Sequence, residues 1–377
     1  MTRVQFAAIA AGFFANNALA QTYDFSMPSD DRWQYPFNFS GGARPTASVF
    51  TSLGTGVPSF SNFNDRDGAF IIAWNTGALI RPGAGAGNYA ISSIRVTLRN
   101  EPGATWIPDA TSDEWYTFDF NNDTFINGDG IPRGQPGDTD GESDDSDPGR
   151  GIELFGAGFG PFYTAVSWTE NSAYVGGTDQ ANAPRDPFPM VFQDGTTDVL
   201  HCEDSISGRH NQNIANPVGR FTPTPWALGI PVNYVPNAQT VPFDVTFDLN
   251  LDLSGGRVRQ YFQEQLNAGR VIVYVTALTE TVMGGTVGGV PSFYNKEGLG
   301  LHPEARAPKL TITLAEQIPG DLDSNGCVDL RDLATLLSNF GTGSGAELAD
   351  GDTDADGDVD LSDLAALLAN YGTGDCP

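Results

Sequence analysis

The chain has 377 residues, with 47 acidic side chains against 19 basic ones and a formal net charge of -28. That balance repels polyanions, which excludes nucleic acid and anionic membrane surfaces as partners. A hydrophobic content of 40% with 24 Phe excludes a wholly disordered chain. Only two of the basic residues are lysines, Lys296 and Lys309, so there is no polybasic patch.

Residues 1–20 open with Arg3, continue through the apolar stretch Phe6–Phe14 and end Ala18-Leu19-Ala20. A charged start, a short apolar core and a small-x-small end form the pattern of a signal peptide. The expectation is export, with a mature chain starting near Gln21, placed outside the cell or in the periplasm. The stretch is too short to span a bilayer, and no later run of about 18 apolar residues follows. An integral membrane protein is not expected.

From 21 to 318 the sequence consists of short extended runs broken by Gly, Pro, Asn and Asp. Strands are predicted at 69–75, 90–100, 114–120, 152–155, 163–169, 242–251, 271–278 and 308–314. In the stretch PFDVTFDLNL, Phe243, Val245, Phe247 and Leu249 fall on one face. One helix is predicted over 257–266, with Val258, Tyr261, Phe262 and Leu266 along one side and Gly269 beyond its end. This pattern predicts a mainly β body, a jelly-roll-like β-sandwich with one short helix.

An insertion of about 108–229 interrupts the body. Its segment 113–147 carries 11 acids and one base, Arg133. Asp119, Asn121, Asp123 and Asn127 mimic calcium-loop positions 1, 3, 5 and 9, but Thr124 and Gly130 break positions 6 and 12. The expectation is a solvated loop whose role the sequence leaves open.

Catalytic signals are missing. No nucleophile elbow, P-loop, H-E-x-x-H or dinucleotide fingerprint occurs, so no catalytic residue is assigned. Glu153, Glu170, Glu203, Glu264 and Glu297 are the carboxylates from which a glycosidase pair would be drawn. Glu297 most simply pairs with Lys296 or caps local backbone. His201 and His210 flank Cys202, Glu203 and Asp204, and read as loop residues without a metal. Trp33, Tyr35, Trp106, Trp115 and Trp226 could stack on sugar rings, although core packing is the commoner fate of such residues.

The tail, 319–377, holds 13 acids and one base, Arg331. Its spacing is what matters, because DLDSNGCVDLRDLATLLSNFGTG from Asp321 repeats as DTDADGDVDLSDLAALLANYGTG from Asp352. An EF-hand-type loop takes oxygen ligands at positions 1, 3, 5, 9 and 12, a backbone carbonyl at 7 and Gly at 6. The first copy supplies Asp321, Asp323, Asn325, Asp329 and Asp332, with the Cys327 carbonyl and Gly326. The second supplies Asp352, Asp354, Asp356, Asp360 and Asp363, with the Asp358 carbonyl and Gly357. Hard oxygen donors at this spacing suit Ca²⁺, giving two ions in the C-terminal domain. Val328 and Val359, at position 8, are expected to pair with each other. Each loop leads into a helix with Leu333, Leu336, Leu337 and Phe340, or Leu364, Leu367, Leu368 and Tyr371, along one stripe. Cys327 and Cys376 could form a disulfide in an exported chain, and Cys202 remains as a thiol.

These tail motifs resemble the dockerin type I module, a duplicated Ca²⁺ loop–helix unit. The resemblance implies an EF-hand-like domain that attaches carbohydrate-active proteins to an extracellular assembly through a cohesin partner. The family's Ser-Thr at loop positions 10 and 11 is Leu330-Arg331 and Leu361-Ser362 here, and its later basic pair is Ser338-Asn339 and Ala369-Asn370. The cohesin-recognition positions are therefore atypical. In the body, DGAFIIAWNTGALI…YAISSIRVTLRN and PFDVTFDLNL…FYNKEG…PKLTITL resemble extracellular DNRLRE-type and carbohydrate-binding jelly rolls. The combined expectation is a secreted calcium-binding protein whose body binds polysaccharide or serves surface assembly and whose tail mediates docking. The alternatives are a glycoside hydrolase or lyase with the same tail, and a structural or adhesive envelope protein.

Overall fold

The computed structural model describes residues 20–35, 40–53, 68–104, 106–112, 149–175, 185–192, 199–201, 223–235, 244–277, 279–282, 289–315, 318–323, 326–354 and 356–374. The stretch before Ala20 expected as a signal peptide, the acidic segment 113–147 with the predicted strand 114–120, Trp115, Cys202, Glu203, His210, Asn325 and Cys376 lie outside them.

The strands in chain order are β1 (Gln21–Phe25), β2 (Asp30–Gln34), β3 (Thr46–Ser48), β4 (Thr51–Leu53), β5 (Ala69–Asn75), β6 (Ile91–Arg99), β7 (Pro108–Asp109) and β8 (Arg150–Gly158). They continue with β9 (Phe188–Phe192), β10 (Val199–His201), β11 (Ala227–Pro231), β12 (Asp244–Asp248), β13 (Arg270–Ala277), β14 (Glu280–Val282), β15 (Ser292–Tyr294) and β16 (Lys309–Leu314). Twelve of them form one sheet in the order β1-β16-β6-β12-β11-β8-β13-β5-β2, with β7 and β9 attached at β8 and β10 paired to β9. The pairings along this path are antiparallel.

The expected sandwich of two sheets is therefore corrected to one large curled sheet, beside which β4 pairs with β14 and β3 with β15. The cause lies in β11. Gly229–Pro231 pair with β12, while Ala227 and Leu228 pair with β8, so one strand carries the ladder from one half into the other. The inside of the curl holds the main core. Ile94, Val96 and Leu98 of β6, Val245 and Phe247 of β12, and Leu310 and Ile312 of β16 meet Phe70, Ile72 and Trp74 of β5 and Val271, Val273 and Val275 of β13. The Trp74 indole donates to the Pro308 carbonyl at 3.3 Å, tying the two walls together.

Strands β5 and β13 are apolar without alternation because both of their faces are covered. Ala69, Ile71, Ala73, Ile272 and Tyr274 pack outward against Trp168, which is fully buried. Residues 163–169, expected as a strand, instead form turns within this cover. There the Thr164 N–H donates to the Ser167 hydroxyl at 2.9 Å and the Ser167 N–H donates back to the Thr164 hydroxyl at 3.1 Å, bonds that compete with a ladder. Helix α1 (Leu253–Asn267) has positive φ at Ser254, Gly255 and Gly256, so its regular part starts at Arg257 as the periodicity indicates. It buries Val258, Tyr261, Phe262 and Leu266. The Tyr261 hydroxyl donates to the Ile272 carbonyl at 2.8 Å, seating the helix on β13.

In the tail, helices α2 (Leu330–Asn339) and α3 (Leu361–Ala369) each start at a complete capping box, Asp329 with Asp332 and Asp360 with Asp363. Val328 and Val359 do not pair with each other. The Val328 N–H donates to Thr373 O at 3.1 Å and its carbonyl accepts from Gly372 N at 2.8 Å. Val359 makes the matching bonds with Thr342 O at 2.9 Å and Gly341 N at 2.8 Å. Each loop is thus closed by the segment that follows the other repeat's helix. No helix among the described residues is long and apolar enough to cross a membrane.

Candidate functional site

Each acidic loop brings three carboxylates together. Asp321, Asp323 and Asp332 have ligand oxygens within 4.8 Å of one another, and so do Asp352, Asp354 and Asp363. In loop terms these are positions 1, 3 and 12 of both copies. The first and last of each trio are buried and the middle one is exposed. A Gly makes each turn, since Gly326 has φ 87° and Gly357 has φ 92°, a region L side chains rarely adopt. Their N–H groups donate to Asp321 Oδ2 and Asp352 Oδ2, both at 2.8 Å, which fixes the position-1 carboxylates.

The position-12 carboxylates are held from two sides. Asp332 accepts from Leu322 N at 2.7 Å and Asp329 N at 2.8 Å. Asp363 accepts from Thr353 N and Asp360 N, both at 2.7 Å. Burial alone would raise the Asp363 carboxyl, but the N–H groups of Asp360, Thr353 and Asp354 outweigh it and hold it below the ordinary carboxylate range. Asp354 and Asp358 move up, first through desolvation and then through repulsion from neighbouring aspartates. Fixed, mutually repelling, all-oxygen donors are the chemistry a divalent cation neutralises, so these clusters could hold a metal ion such as Ca²⁺.

Other assigned ligands also make hydrogen bonds within the tail. Asp329 and Asp360 serve as helix N-caps, accepting from Arg331 N and Ser362 N at 2.6 Å. Asp356 accepts from Asp358 N at 3.1 Å. The side chain of Asp358, expected to contribute only a carbonyl, gathers with Asp360 and Asp363 in a further trio within 4.8 Å. Its counterpart Cys327 is buried and disulfide-bonded. Its cysteine partner lies outside the described residues, and the Gly374 backbone pairs with that of Cys327 in an isolated antiparallel β-bridge.

The tail does not stand apart from the body. A groove of about 810 Å³ between them is lined by Arg81, Asn88, Pro319, Glu347, Asp352 and Asp356, so the second loop forms part of its wall.

A cluster that the sequence did not reveal lies in the body. Asp31 on β2, Glu170 in the cover segment and Glu297 after β15 converge within 4.8 Å. The Lys296 ammonium sits among them. It is 3.3 Å from Asp31 Oδ1 and 3.4 Å from Glu297 Oε1, and it also contacts Glu170. The Lys296 backbone N–H donates to Asp31 Oδ2 at 2.7 Å. Asp31 has no exposed surface. Burial pushes its carboxyl up to about 7, with the Lys296 N–H and ammonium pulling it down and the Glu297 carboxyl pushing it further up. For Lys296, burial alone would lower the ammonium, but Glu170, Asp31 and Glu297 outweigh it and hold it above its ordinary value. The sequence suggested the pairing of Glu297 with Lys296, which the structure places at 3.4 Å, but gave no sign that Asp31 and Glu170 join them.

Of the aromatic candidates, Trp106 and Trp226 are buried in the core. Trp33 and Tyr35 are half-buried and stacked on each other at 4.7 Å. Glu153 is buried in β8 and Glu264 is exposed on α1. The chain matches no protein-family profile, and none of the curated proteins is significantly similar to it in sequence.

Proposed function

We propose that the tail is a Ca²⁺-organised docking module, and that the body is the non-catalytic part of an exported protein serving surface assembly or polysaccharide binding. The observation that carries this reading is a repeat-matched exposure of apolar side chains. Leu330 and Leu361 are each 70% exposed, Leu337 and Leu368 are 54% and 53%, and Phe340 and Tyr371 are 45% and 44%. The tail's own core is complete without them, built from Leu322, Val328, Leu336, Leu348, Val359 and Leu367. Large apolar residues held out of such a core favour an interaction surface. With Leu at position 10 of both loops, a cohesin-like partner would have to offer an apolar face in place of hydroxyl acceptors.

Burial of Trp106 and Trp226 removes two members of the expected sugar-stacking set, which favours assembly over glycan binding for the body. An enzyme acting on O-glycosyl bonds is the second reading, favoured by the meeting of Glu170 and Glu297 beside Asp31. Calorimetry of the full chain with Ca²⁺ tests the tail, with about two ions bound as the expected result. Absence of binding overturns the docking-module reading. A polysaccharide screen of the same protein tests the body, and released reducing ends would overturn the non-catalytic reading.

A further inference from the structure

We propose that Lys296 and Asp31 are the two halves of an intramolecular isopeptide bond that fastens edge strand β2 to the segment leading into β16. The two residues are 265 positions apart, and their reacting groups face each other at 3.3 Å in the folded chain. Contact enforced by a fold converts an unfavourable bimolecular condensation into a unimolecular one, with effective concentrations reaching roughly 10⁵ M or more for well-oriented groups.

The choice of residue is itself informative. Arginine is the better partner for a buried carboxylate because its planar fork holds two oxygens at once and never loses its proton. This chain takes Arg for nearly all its cations, keeping only Lys296 and Lys309 as lysines. Lys309 lies at the surface against Asp24 at 3.0 Å. Lys296 is placed instead among three carboxylates, one of them without exposed surface. An amine can become a nucleophile, and a guanidinium cannot.

The surroundings supply each part of the reaction. Lys296 passes one ammonium proton to Glu170, which it contacts, and the freed Nζ lone pair attacks Asp31 Cγ. Charge developing on Asp31 Oδ2 is met by the Lys296 backbone N–H already donating to it at 2.7 Å. Glu297, hydrogen-bonded to Asp31, is placed to keep that carboxyl protonated. The Cγ–Oδ1 bond breaks, and the departing oxygen leaves as water after taking back the proton lent to a glutamate. The attacking nitrogen gives up its second proton to Glu297 as the amide forms, so the sum is one ammonium and one carboxylic acid giving one amide, one water and one proton passed through that glutamate to solvent, with no oxidant or other co-reactant. Burial of Asp31 disfavours its charged form, which is the condition under which amide formation competes with an ion pair.

Tryptic digestion of the purified full chain followed by tandem mass spectrometry tests the assignment. The expected species joins the peptide containing Asp31 to the one containing Lys296, lighter than their sum by one water and resistant to cleavage after Lys296. Recovery of both peptides unlinked overturns the proposal, and so does a linkage mapped to Glu170 or Glu297. In Lys296→Arg the cation is kept and the linked species should vanish while the protein remains folded by circular dichroism. Glu170→Gln should slow linkage after refolding by roughly a hundred-fold. An undiminished rate would overturn the proton-acceptor role given to Glu170.

Discussion

Leu336 and Leu337 are neighbours in sequence and face opposite environments, the first with no exposed surface and the second 54% exposed. Leu336 belongs to the tail core with Val328 and Val359. Leu336→Ala should destabilise the tail by about 2–5 kcal/mol, the range for removing a buried leucine side chain. Leu337→Ser should change it by no more than about 0.5 kcal/mol. Denaturant titration followed by helix ellipticity reads both, and equal effects would count against the assignment of faces.

Asp321 and Asp352 anchor the two carboxylate trios and accept the glycine N–H of their own turns. An Asp321→Ala/Asp352→Ala variant should therefore lose more than half of the calcium heat measured for the parent chain. Chelation of the parent should lower helix ellipticity, because unneutralised aspartates repel one another in both loops. Retention of most of the binding by the double variant would show that other oxygens hold the ions.

Gly357 isolates the cost of backbone geometry. A Cβ there meets nothing closer than Gly345 N at 3.8 Å, so the penalty of Gly357→Ala comes from φ 92° alone. The expected loss is about 1–2 kcal/mol, together with weaker calcium binding at the second loop. An alanine variant as stable as the parent would mean that the turn does not need this conformation.

Asp31 sets a pH dependence, which is readable in Lys296→Arg because that variant keeps the cation and cannot form an amide. The folded carboxyl retains its proton up to about 7, against 3.8 for the ordinary group. The folded state thus binds more protons than the unfolded state between these values. The contribution of Asp31 to stability is present in acid and is lost as pH rises through about 7. Denaturation midpoints of Lys296→Arg should fall between pH 5 and pH 8 relative to Lys296→Arg/Asp31→Asn. A flat difference would remove Asp31 as the titrating group.

The tail was legible in the sequence because its chemistry is local. Loop positions 1, 3 and 12, the glycine at 6 and the capping aspartates all fall within a dozen residues, and their spacing alone places them. The division of the apolar stripe between core and solvent was not legible, since periodicity puts Leu336 and Leu337 on one face alike. In the body, β5, β6, β13 and α1 announced themselves by alternation or by continuous apolar runs. The sheet's continuity depended on β11 pairing in both directions over five residues, and no local pattern encodes that. The Asp31–Lys296 cluster joins residues 265 apart on elements that share no motif, so only the fold assembles it.

The crossed pairing of Val328 with Gly372 and Thr373, and of Val359 with Gly341 and Thr342, makes neither repeat self-sufficient. A single loop–helix unit would keep its aspartates but leave the N–H and carbonyl of its buried valine without partners. The other repeat offers those partners through matching bonds. One repeat by itself therefore lacks the groups that close its own loop, and the duplication supplies them within one chain.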